Sequence, residues 1–159
     1  MNARDVLTYG HLTLLGSIDG LTPDNAAMPG ACGVWSIQQL VAHLGTYEAV
    51  FADILAADLG ATATPWLDRF LSLGAEFNDT TVAERDDLTF DQIIAEYTGS
   101  YETVMASLDR IAPERLREPG TILWYGPEYS LDDLIVYQQY GHKREHAGEI
   151  GVFRGNMGF

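Results

Sequence analysis

Two of the four histidines in this chain stand four residues apart, in the stretch Gly141-His142-Lys143-Arg144-Glu145-His146-Ala147-Gly148-Glu149-Ile150. On an α-helix that spacing stacks both imidazoles on one face, about one turn apart. Leu131, Ile135 and Phe153 fall within the same arc, roughly 120° wide at about 100° per residue, so the face carrying the rings is also the one that turns inward. Gln138 and Glu149 share it, and both are costly to bury unless something charged or hydrogen-bonding meets them. Two core histidines bonded to their neighbours would account for the pair alone. The polar company favours a divalent metal, since neutral imidazole suits zinc, nickel, copper and iron, and two rings on one turn reach one ion from the same side.

The rest of the chain supplies helices against which this one can be buried. Residues Ala3 to Ile18 read as a first helix with Val6, Leu14, Leu15 and Ile18 apolar, and with His11 as an ordinary half-buried or surface histidine. Pro23, Pro29, Gly30 and Gly33 make a loop of the stretch from Leu21 to Val34. Its Cys32 is a passive thiol, with no sequence neighbour to lower its pKa. Ser36 with Gln39 three residues on forms a capping box after Trp35, and opens a second helix to about Ala57. Ile37, Leu40, Leu44, Phe51, Ile54 and Leu55 mark its buried face, and His43 lies at the edge of that face beside Tyr47.

After a break from Gly60 to Pro65, one or two helical pieces run from Trp66 to about Arg85. Thr89 with Gln92 repeats the capping box and opens a third long helix from Phe90 to about Ile111, ended by the Pro113-to-Pro119 region. Gly120 to Pro127 is a turn-rich connection whose aromatics either lid a pocket or pack across the end of the helices. Ser130 caps the last helix, with Asp132 and Asp133 placed to suit the positive end of its dipole. Only Gly155 to Phe159 looks loose. Four long helices without a convincing alternating strand predict an all-α four-helix bundle, of up-and-down or crossover topology, with a short extra helical segment.

Charge and length narrow the function. At 159 residues the chain is expected to form one domain over 1–159. Nine Lys and Arg against 23 Asp and Glu give a net charge of −14, which repels nucleic-acid phosphates and anionic lipids, so neither nucleic acid nor membrane is expected as a partner. One cysteine allows no intramolecular disulfide and agrees with a reducing cytoplasm. No basic leader and no uninterrupted apolar stretch of membrane-spanning length is seen, so a soluble cytoplasmic protein is expected.

His142-Lys143-Arg144-Glu145-His146 fits the H-x-x-E-H pattern of inverted zinc peptidases only superficially. Those enzymes need a distant downstream glutamate in a larger fold, and 13 residues follow His146. Lys143 also stands where the glutamate of H-E-x-x-H would be.

Trp35-Ser36 opening a helix, His43 seven residues after that cap, and the His142-x-x-x-His146 pair on the last helix together resemble the DinB/YfiT-like superfamily of four-helix bundle proteins. The likeness covers nearly the whole chain. It implies a divalent metal, zinc or nickel foremost with iron or manganese as further candidates, held by His43, His142 and His146. It also implies a homodimer, with Trp66 and Phe70 as aromatics of uncertain burial. Members include transferases and isomerases that use low-molecular-weight thiols, hydrolase-like self-protection proteins, and proteins without an assigned activity.

Three imidazoles leave coordination positions open, as in catalytic rather than structural zinc sites. A water or thiol acidified there could attack a small electrophile. The expectation is therefore a metal-dependent enzyme, transferase-like or hydrolase-like, acting on a small-molecule substrate. The alternative is a non-catalytic metal- or ligand-binding stress-response protein. Glu149, one turn after His146, could orient a ligand ring or act as a base. Tyr47 and Gln138, each four residues from a proposed ligand, could line the pocket or merely pack.

Overall fold

A computed structural model describes residues 2–159. Helix α1 (Ala3–Ile18) begins where the Asn2 side chain accepts the Asp5 N–H at 3.3 Å, and it has the expected bounds. The stretch expected as a loop holds more order. Thr22 caps a one-turn helix α2 (Pro23–Ala26) with proline at its start, and strands β1 (Pro29–Cys32) and β2 (Trp35–Ser36) pair antiparallel in an irregular register. Strands of four and two residues carry no alternation to read.

The capping box at Ser36 is present in both halves, 3.2 Å from Gln39 N to Ser36 Oγ and 3.0 Å from Ser36 N to Gln39 Oε1. It opens α3 (Ile37–Asp58). Helix α4 (Pro65–Leu73), a 3₁₀ turn (Gly74–Glu76) and α5 (Phe77–Ala83) fill the irregular stretch. The second box, Thr89 with Gln92, opens α6 (Phe90–Leu108). That helix stops three residues early because Pro113 starts α7 (Pro113–Leu116) and holds Ala112 extended. Residues 120–127 form turns, closed by the Gly120 N–H on the Tyr129 carbonyl at 2.8 Å.

The last helix departs most from expectation. It is not one regular α-helix but α8 (Leu131–Leu134), a π-helical segment (Ile135–Gly141) and α9 (His142–Met157). Ser130 does cap it, with Asp133 rather than a glutamate or glutamine completing the box. The wider π turn shifts the inward stripe by a residue, so that Gln139, not Gln138, is fully buried, and Lys143 joins the interior. Gly141 permits this, because a Cβ there would sit 3.1 Å from the Val136 carbonyl oxygen, five residues back.

Apart from the hairpin the architecture is helical. Helix α3 packs along α6, and α1 packs along the π segment and α9. At Gly10 the approach is close, since a Cβ would lie 3.4 Å from the Tyr140 Cα and from the Lys143 Cδ. The apolar interior forms two lobes. One holds Leu14, Ile37, Leu40, Leu44, Tyr97 and Ile150, the other Leu7, Phe51, Leu55, Val104, Leu131 and Ile135.

Helices α1 and α3 and the last helix each pass from one lobe to the other, and between the two they carry polar side chains: Thr8 and His11 on α1; His43, Thr46 and Glu48 on α3; Gln139, His142, Lys143 and His146 on the last helix. The sites described below lie in that layer. Helix α3 is long and apolar enough to cross a membrane by length and composition, yet Gln38, Gln39, His43, Glu48 and Asp53 interrupt it, most of it is buried in this fold, and it carries His43 and Glu48 in the interior. Trp66 and Phe70 are half-buried against the second lobe, and the Arg85 guanidinium covers the Trp66 ring at 5.3 Å, so these aromatics do not form an exposed face.

Candidate metal centre

His43 enters the polar layer from α3, with 3% of its surface exposed. His142 and His146 enter from α9, one turn apart. Their Nε2 atoms converge: His43 to His142 is 2.9 Å, and His146 to His142 is 2.9 Å. Tyr47 stands one turn after His43, its ring edge-on to both His43 (4.8 Å between centroids) and His142 (4.9 Å). Trp35 covers His43 from the hairpin side at 5.1 Å, and Thr46 donates to the His43 carbonyl at 2.7 Å.

Protons alone do not satisfy this arrangement. His146 Nδ1 lies 2.7 Å from Glu149 Oε2, which places the ring proton on Nδ1 and leaves Nε2 a bare lone pair. His142 Nε2 then either divides one N–H between two acceptors or meets the His146 lone pair with its own at 2.9 Å. The Nδ1 atom of His43 is buried without a partner, while the Gln138 backbone one turn back lies within reach of the His142 ring; with that ring's proton on Nδ1, a second bare Nε2 faces the one on His146. A divalent cation takes all three lone pairs at once, and an all-imidazole set suits zinc, nickel, copper or iron. The donor set therefore fits a metal.

Burial, then the neighbouring ring of His142, pushes His43 down to about 3. Burial and the neighbouring His146 push His142 down to about 4. Both rings are neutral at physiological pH, the form that ligates.

The expected residues are brought together, though not all in one way. Glu149 touches His146 rather than an open ligand position. Its other oxygen accepts from Cys32 Sγ at 3.4 Å, a contact between hairpin and helix that no sequence pattern announced. Burial first, and the Glu149 contact second, push the Cys32 thiol pKa up, in keeping with a passive thiol. Cys32, His146 and Glu149 form a second cluster of ligand type, in which Glu149 is already bonded to His146 Nδ1. Tyr47 and Gln138 both line an apolar cavity beside the histidines, with Trp124 and Tyr125 from the turn-rich connection, and the Tyr47 hydroxyl donates to Asn78 Oδ1 at 3.2 Å.

On the other side of α9 lies a second polar cluster that the sequence reading missed. Lys143, 1% exposed, pairs with the wholly buried Glu48, and neither charge has another hydrogen-bond partner. The ammonium lies 5.6 Å from the Tyr101 ring centre. His11 stacks on Tyr101 at 3.8 Å and bonds Tyr97 Oη through Nδ1 at 3.0 Å. Burial, then the Lys143 charge, pushes its pKa down to about 4.

Among solved structures, an uncharacterised protein from Escherichia coli UTI89 superposes with a TM-score of 0.79 at 13% identity, covering 99% of this chain and 93% of that one. The colibactin self-resistance protein ClbS, in complex with a double-stranded DNA, superposes with a TM-score of 0.72 at 14% identity, covering 96% and 93%. Identities this low establish a shared fold. No nucleic-acid partner was expected for this chain, and that neighbour is a protein of the same fold with double-stranded DNA bound. No curated protein matches the sequence. The sequence profile of the DinB superfamily matches residues 11–150, a span that holds all three converging histidines, and the chain belongs to that superfamily.

Proposed function

We propose that this protein is a divalent-metal-dependent enzyme of the DinB-like type, acting on a small electrophile in a transferase-like or hydrolase-like reaction. The observation that carries the reading is the convergence of three imidazole Nε2 atoms, linked by two contacts of 2.9 Å, with at most one N–H to share among them. His43, His142 and His146 would hold the ion, zinc or nickel foremost. Bound there, it would acidify a water or a low-molecular-weight thiol and so supply a nucleophile near neutral pH.

The chain's own residues do the rest. Glu149 keeps the His146 proton on Nδ1 and fixes the ring plane, which makes it a positioning residue in this reading, not a base. Tyr47 and Trp35 wall the imidazoles off from bulk water. Tyr47 and Gln138 present the neighbouring cavity to the site. A four-helix bundle scaffold and a homodimer in a reducing cytoplasm complete the proposal.

A second reading, a non-catalytic metal- or ligand-binding stress-response protein, draws on the self-resistance protein among the structural neighbours. The net charge of −14 weighs against carrying that neighbour's DNA over to this chain.

The test is elemental analysis of untagged protein purified without chelator, beside His142→Ala. About one zinc, nickel, iron or manganese per chain, lost in the variant, supports the site and leads to a screen of thiols and electrophiles. Native protein that takes up no metal even when it is added back would sink the enzyme reading.

A further inference from the structure

The cavity beside the histidines has a volume of about 150 Å³ and is walled by Tyr47, Phe51, Phe70, Trp124, Tyr125 and Gln138, among others. No Lys, Arg, Asp, Glu or His lines it. An apolar cavity of about this size holds one benzene-sized ring. Aromatic walls favour a flat occupant, which meets their faces and edges at van der Waals distance. Phe70 stands edge-on to Tyr47 at 5.9 Å and to Trp124 at 5.6 Å, so three of the walls brace one another.

The polar groups of the lining are few and uncharged. Gln139 is engaged with the Tyr47 carbonyl at 3.5 Å, and the Tyr47 hydroxyl with Asn78. That leaves the Trp124 indole N–H, the Tyr125 hydroxyl and the Gln138 amide to meet an occupant, and of these Gln138 alone offers two donors and an acceptor. Gln138 sits one turn before His142 in the chain, and Tyr47 touches both His43 and His142, so the cavity shares a wall with the metal centre. An ionised group brought here would lose its hydration without gaining a counter-charge.

We infer that the cavity binds the compact, uncharged aromatic or similarly flat ring of the substrate, with a neutral hydrogen-bonding substituent held by Gln138. The substrate class would then be small neutral electrophiles built on a single ring. This rests on the proposed metal-dependent reading for its role, but not for its binding.

A matched pair of probes tests it. Benzamide and benzoate have nearly the same shape and differ in charge. Calorimetric titration of the metal-free protein should show saturable benzamide binding, with benzoate at least about tenfold weaker. Gln138→Leu should weaken benzamide by about tenfold through the lost amide contact, and Trp124→Ala should weaken it as well. Trp124 is 42% exposed, so its replacement leaves the interior in place.

Benzoate binding as tightly as benzamide, no binding of either, or indifference to both substitutions would overturn the inference. Cobalt(II) titration on the same samples separates the two ideas. Metal uptake without benzamide binding removes the cavity proposal and leaves the metal centre. Benzamide binding without metal uptake does the reverse.

Discussion

His142 and Lys143 are neighbours in the chain, both lie in the polar layer between the two apolar lobes, and they end in opposite states. Lys143 turns toward α3 and α6 and finds Glu48, so that its cluster closes on itself: one cation, one anion and two tyrosine rings beside them. His142 turns toward His43 and finds only more imidazole lone pairs. Both clusters are buried, both carry ionisable side chains, and both interrupt a hydrophobic core. A buried cluster that sums to neutrality with its own residues is structural by default. One whose acceptors face one another with no donor between them implies a ligand from outside.

Breaking the closed cluster should give the largest effect. Lys143→Met leaves the Glu48 carboxylate buried without a counter-charge and should cost about 3–5 kcal/mol, read as a lower midpoint in urea unfolding. Lys143→Met combined with Glu48→Leu should recover most of that loss, because removing both charges leaves nothing to neutralise. A single variant within about 1 kcal/mol of the native protein would mean that the pair is hydrated in solution, and the contrast with the histidines would lose its basis.

The open cluster should respond to metal instead. Adding zinc or nickel at about 100 times its dissociation constant should stabilise the native protein by about 2.7 kcal/mol, and should do nothing for His43→Ala or His146→Ala. Those variants should keep their helicity, since each removes a group that nothing in the chain neutralises. Equal stabilisation of the histidine variants would place the ion elsewhere. Glu149→Gln should act between these limits, lowering metal affinity by about 10–100-fold while leaving the metal-free midpoint nearly unchanged.

Much of this was legible in the sequence, for identifiable reasons. Capping boxes at Ser36 and Thr89 are local chemistry, and both helices start where those residues put them. The histidine pair was visible because one helical turn is short. His43 was readable only as an edge residue, and it took the resemblance to join it to a pair some hundred positions away. Lys143 was unreadable: its partner lies on another helix, and its burial depends on a π turn set by the close approach at Gly141. The contact between Cys32 and Glu149 was hidden likewise, behind a hairpin too short to show a period.

Acid should weaken both clusters in the same direction. Without metal, His11, His43 and His142 all have pKa values depressed by burial, to about 4, 3 and 4 against an ordinary 6.5. Between the folded and ordinary values the unfolded chain binds more protons, so stability rises with pH across that window. It is fully present above about 6.5 and is lost as the pH falls toward 4. His11→Gln removes one of these protons, and its unfolding midpoint should fall less steeply than the native one between pH 6.5 and 4. Parallel slopes would show that His11 is already solvated in the folded state.

The smallest expected effect belongs to Cys32, and it decides between two ways of drawing the site. If the ion sits among the three imidazoles, Cys32 touches only Glu149, through a long 3.4 Å contact. Cys32→Ser should then leave metal affinity within about threefold of the native value, the cost of a weak contact two bonds removed from the ligand. Alkylation of the native thiol should be slow at neutral pH, because burial raises its pKa and so holds down the thiolate fraction. If the ion were instead held by Cys32, His146 and Glu149, Cys32→Ser would abolish uptake as completely as His146→Ala, and cobalt(II) bound to the native protein would show a thiolate charge-transfer band that the variant lacks. His43→Ala would then be harmless. Cobalt spectra of the native, Cys32→Ser and His43→Ala proteins therefore separate the two sites, because each drawing loses its ion on a different substitution.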